Sequence, residues 1–168
     1  MVLETAVGCE ARSGGGAMPI GALLGSERAL GGFDDVPTGS TWAWLPASCA
    51  AALETLAIFE REPVLSNVRE LERLGAARLD ELRERYEEIG DVRAVGCFMA
   101  IEFVRDRETK ARAPELQDAV AAEALRRGLL ADSSTTSLNV QPSLVMPAQA
   151  LERAFEILDE SIRAALAR

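Results

Sequence analysis

The amino-acid sequence predicts an α+β fold, a small and mostly antiparallel sheet packed with helices. Apolar residues recur at intervals of three and four over 64–88 and again over 148–167, the period of helices lying on a core. Between them, 91–104 alternates with a period near two, as strands do, and the helical stretches are segregated from the short strands. A length of 168 residues suffices for one compact domain, and 48% hydrophobic with 27% charged residues is the balance of globular proteins. Collagen-like, mucin-like and wholly disordered chains are thereby excluded.

The elements follow in order. Glycines crowd 8–39, with an uninterrupted triplet at Gly14, Gly15 and Gly16, so this part reads as loops, turns and a short strand at 20–24. From Pro46 the chain becomes alanine-rich and free of breakers until Pro63. A helix is predicted over 46–61, buried on most faces because charge is absent until Glu54. A second helix is predicted over 64–88, with Val64, Val68, Leu71, Gly75, Leu79, Leu82 and Tyr86 on one stripe, ion pairs such as Glu81–Arg85 on the other, and Gly90 as its cap. Strands are expected at 91–96 and 98–104 with Gly96 as the hinge, then a charged surface loop at 105–113. A helix over 114–127 ended by Gly128, strands at 129–131 and 138–141, and a last helix over 148–167 complete the chain. The core is expected to depend on Leu71, Leu82, Phe98, Ile101, Phe155 and Leu158.

Charge and absent residue types narrow the chemistry. With 18 Lys+Arg against 27 Asp+Glu the net charge is −9, a field that repels phosphate backbones and anionic lipid, so neither nucleic acid nor membrane is expected as a partner. No apolar run is long enough to span a bilayer, and the first residues lack a basic stretch followed by an apolar one, so the expected compartment is the cytoplasm. Cys9, Cys49 and Cys97 show no CxxC spacing and read as free thiols, and no metal site is expected. The chain contains no histidine, which removes Ser-His-Asp and Cys-His pairs and any imidazole base. Lys110 is its single lysine, flanked by Arg107 and Arg112 in a stretch that reads as solvated.

Taken alone, the glycine triplet is either a flexible turn or a place where backbone comes close to a phosphate; it matches neither GxGxxG nor GxxxxGK[ST]. Thr38-Gly39-Ser40-Thr41-Trp42 offers hydroxyls beside an aromatic, suited to a phosphate or to an ordinary hydrogen-bonded loop. Ser133 to Ser137 reads as a solvated loop. In order and spacing, however, GGGAMPIGALLG at 14–25, TGSTWAWLPASCAAALETL at 38–56, DVRAVGCFMAIEFV at 91–104, RGLL at 127–130 and QPSLVM at 141–146 resemble successive motifs of class III aminotransferases. These are fold-type I enzymes that use pyridoxal 5′-phosphate (PLP), and the sequence is most similar to the putrescine, ornithine and 4-aminobutyrate group.

The resemblance implies a division into a glycine-rich remnant of the large PLP-binding domain over 1–45 and a C-terminal α+β domain with its linking helix over 46–168. It places the family's PLP-binding lysine on Ala11, or on Arg12 with a one-residue slip, and neither side chain can form an internal aldimine. The phosphate-binding threonine, which the family contributes across a dimer interface, matches Thr41, with Ser40 beside it. The arginine that pairs with a substrate α-carboxylate matches Asn139, which cannot make that bidentate charged pair, while Arg93 matches a family arginine taken as structural. The upstream segment that supplies the family's cofactor pocket has no counterpart in this sequence.

The expectation is therefore a class III aminotransferase-like fragment without autonomous transaminase activity, acting as a homo-oligomer or with a partner chain that supplies the missing half. The alternatives are a protein-interaction module that uses the apolar segment at 42–45, one half of a split enzyme acting on an amine or amino acid, or a PLP enzyme that uses an unusual lysine.

Overall fold

A computed structural model of the chain describes residues 7–9, 18, 20, 22–24, 26 and 45–167. By its contacts the chain forms two compact units, Met1–Glu62 and Pro63–Arg168.

In the first unit, β1 (Val7–Cys9) pairs antiparallel with β2 (Ala22–Leu24), joining Val7 to Leu24 and Cys9 to Ala22. Helix α1 (Pro46–Arg61) has the bounds expected of it. Pro46 begins it because a missing N–H costs nothing in the first turn. Glu62 leaves it in an extended conformation (φ −114°, ψ 150°), which the following Pro63 enforces. The expected burial on most faces is not observed: Ser48 is its one buried residue, and Leu53 and Leu56 are 68% and 62% exposed. Low charge marked a helix that can be buried, but its apolar side chains are spread round the axis and form no single seam.

The second unit holds the core. Helix α2 (Val64–Arg85) buries Val64, Leu71, Gly75, Leu79 and Leu82, the three-and-four stripe read from the sequence. It ends three residues early, at an extended Tyr86, and Gly90 is not its cap. Gly90 lies in strand β3 (Ile89–Val95), where a Cβ would stand 2.5 Å from Cγ1 of Val104. A close strand approach, not a helix end, requires that glycine. The cap is supplied by Arg107, whose guanidinium donates to the carbonyls of Arg83 (2.5 Å), Tyr86 (2.6 Å), Glu87 and Ile89 (both 3.0 Å). The side chain read as solvated thus closes a helix.

Strands β3 and β4 (Phe98–Asp106) form a hairpin whose two-residue loop is Gly96-Cys97, with Val95 opposite Phe98. Gly96 takes φ +57°, the conformation that a hairpin loop needs at its first central position. The loop expected at 105–113 contains a further short strand, β5 (Ala111–Arg112), paired to β4. Helix α3 (Pro114–Arg126) ends before Gly128, at φ +86°, as expected. The strand expected at 129–131 is absent; pairing starts instead at β6 (Asp132–Ser133), which adds to β7 (Leu138–Val140). The sheet order is β3-β4-β7-β6, antiparallel throughout, with β5 beside β4.

Helix α4 (Ala148–Leu166) buries Leu151, Phe155, Leu158 and Ile162 against a core that includes Leu71, Leu79, Met99, Ile101, Phe103 and Leu138. Of the expected core residues, Phe98 is misplaced, being 71% exposed. Met99, Ile101 and Phe103 take the helix-facing positions of β4, so the alternation turns Phe98 to the opposite face.

Ion pairs fasten α2 to α4. The expected Glu81–Arg85 pair is not formed: Glu81 binds Arg78 at 2.8 Å, and Arg85 reaches Asp159 of α4 at 2.6 Å. Tyr86 donates its hydroxyl to the same carboxylate at 2.7 Å, and Arg163 pairs with it from the next turn. Burial pushes the Asp159 carboxyl upward, but hydrogen bonds from Tyr86 and Arg85 and the charges of Arg85 and Arg163 outweigh it, so the pKa lies below the usual carboxylate range. The folded value is below the unfolded one, near 3.9. Its stabilisation is therefore present above about pH 4 and lost as pH falls through the folded value. Wild type is expected to exceed Asp159→Asn in stability at pH 7, with the gap closing below pH 4. Urea titrations at pH 7 and pH 3 check this; a gap of equal size at both would remove the carboxylate from the account.

Candidate functional site

Polar side chains gather where β6 and β7 meet α3. Gln117, in the first turn and a half of α3 and only 3% exposed, donates its amide to Oγ of Ser133 and to the carbonyl of Ser134, both at 2.8 Å. Ser133 in turn donates to Asp118 at 2.7 Å. Across the turn, Ser134 Oγ donates to the Ser137 carbonyl at 2.9 Å, and Ser137 Oγ to Oδ1 of Asn139 at 2.9 Å. Asn139 stands in the middle of β7, opposite Ala100 of β4 and Asp132 of β6, and its Nδ2 lies 3.3 Å from the Asp132 carboxylate. The serine run expected to be solvated is a connected network tying a helix to a hairpin.

This arrangement bears on the sequence match at Asn139. An amide fills a position at which the family resemblance implies a guanidinium, and its donor is turned to a carboxylate. Asp132 sets a carboxylate beside that amide. The network is neutral or acidic throughout, and its hydrogen bonds order the sheet end.

The remaining site residues divide by unit. Ala11, Arg12, Ser40 and Thr41 lie outside the described residues, as do Trp42, Ala43 and Trp44. The helix that follows them, α1, has no side-chain cap and no acidic residue in its first turn. Ser48, its third residue, is buried with a hydroxyl that finds no partner among the described residues. Lys110 occupies the turn before β5 at φ +59°, exposed, with Nζ 3.5 Å from the Gly90 carbonyl. Cys97 is buried in the hairpin loop; burial first, and Glu72 second, push its thiol up, which disfavours the thiolate. Among the described residues no group of His, Cys, Asp or Glu could hold a metal ion, and no helix is long and apolar enough to cross a membrane.

Sequence reasoning missed Gln117, Asp132 and Ser48. Gln117 and Asp132 carry no local signal, because the hydrogen bonds that define them form only when α3 meets the hairpin. Ser48 did carry one: a hydroxyl among Ala47, Ala50, Ala51 and Ala52 is the odd residue in an otherwise apolar turn.

The family model for class III aminotransferases matches residues 7–162, and the chain belongs to that family. It is 33% identical to the 5-aminovalerate aminotransferase of Pseudomonas aeruginosa, over 89% of this chain and 36% of that enzyme. It is 32% identical to the 4-aminobutyrate aminotransferase of Escherichia coli, over 80% of this chain and 32% of that enzyme, and 36% identical to the alanine/serine racemase of Pyrococcus horikoshii, over 87% and 31%. The chain thus spans about a third of the length of the curated relatives it matches. Among solved structures, a PMP-bound aminotransferase from Vibrio fluvialis superposes with a TM-score of 0.83 at 23% identity, over 97% of this chain and 38% of that one. An omega-aminotransferase from Paracoccus denitrificans does so with a TM-score of 0.79 at 26% identity, over 92% and 36%. The fold is that of a fold-type I aminotransferase fragment. Aminotransferases and a racemase match at similar identity, so kinship does not fix a reaction.

PLP is the cofactor this family suggests, and the described residues do not fit its covalent attachment. An aldimine needs an amine that loses its proton in a sheltered site. The one lysine is exposed on a turn, next to a strand carbonyl.

Proposed function

We propose that this chain is a class III aminotransferase-like PLP-fold fragment that does not transaminate by itself. The observation that carries the reading is the lysine inventory. The family position falls on Ala11 or Arg12, and Lys110 sits exposed in a surface turn. The carboxylate-binding position supports it independently, since Asn139 faces Asp132 and offers no cation. A second reading, association with another chain, is favoured by α1, which leaves Leu53 and Leu56 largely exposed.

The test is the absorption spectrum of the purified chain with added PLP, followed by borohydride reduction and mass spectrometry. No aldimine band and no labelled residue are expected. A single trapped adduct at Lys110, with a band abolished by Lys110→Ala, would overturn the reading and restore covalent cofactor binding to this chain.

A further inference from the structure

We draw no further inference here: the strongest candidate, the cleft between α2 and α4 over Leu82 and Phe155, has each of the carboxylates on its rim already engaged by an arginine, and nothing in the structure shows what would fill it.

Discussion

Leu158→Ala is expected to lower the unfolding free energy by about 2–5 kcal/mol, the range for emptying a well-packed leucine site. Leu158 is 1% exposed and belongs to the cluster formed by α4 with Leu71, Leu79 and Ile101, all of them fully buried. The cavity would open inside that cluster, where α4 packs against both α2 and α3, so little collapse can relieve it. Phe98→Ala is the control: the larger side chain is removed, but from the exposed face, and a change within about 0.5 kcal/mol is expected. Urea titration of both variants reads the contrast. Near-zero loss at Leu158 would mean that α4 does not pack as described.

That contrast also shows where the sequence stops being legible. The stripes of α2 and α4 are unambiguous because their apolar residues repeat at one helical interval with charge between them. Over 98–104 the sequence is Phe-Met-Ala-Ile-Glu-Phe-Val, apolar at both parities, and only packing of the helices against Met99, Ile101 and Phe103 decides which parity is inside. Gly90 failed for a similar reason. A glycine after a helix has two physical uses, and the close approach of Val104 that selects one of them comes from a strand fourteen residues on. At the sheet end, the motif singled out Asn139, and the residues that bond around it carried no signal. Ser133, Ser134 and Ser137 have the composition of a loop in water, and their bonding depends on Gln117, which the fold brings from more than a dozen residues away.

Family and fold were carried by motif order, which survives individual substitutions; a reaction depends on a few side chains, and the proposal of lost transamination rests on those. In the proposed reading, the positions matched to the family's cofactor and carboxylate contacts are Ala11 or Arg12 and Asn139. The surrounding scaffold remains regular, with a fully packed second unit and a hairpin at the matching place. The stability variants report on this packed unit and are read without an activity assay.

Arg107→Ala is expected to cost about 1.5–3 kcal/mol, the range for charged hydrogen bonds, although the side chain lies on the surface. The last carbonyls of a helix have no partner within it. In α2 the guanidinium takes two of the carbonyls at that end, those of Arg83 and Tyr86, and with its Nε bridges to Glu87 and Ile89 as the chain turns into β3. Its positive charge also stands at the negative end of the helix dipole. Arg107→Lys separates the two contributions, since an ammonium keeps the charge but not the planar fork that spans four oxygens. The lysine variant is expected to recover only part of the loss in a urea titration. Equal stability of alanine and lysine variants would assign the effect to fork geometry alone, and an alanine variant as stable as wild type would remove Arg107 as the cap of α2.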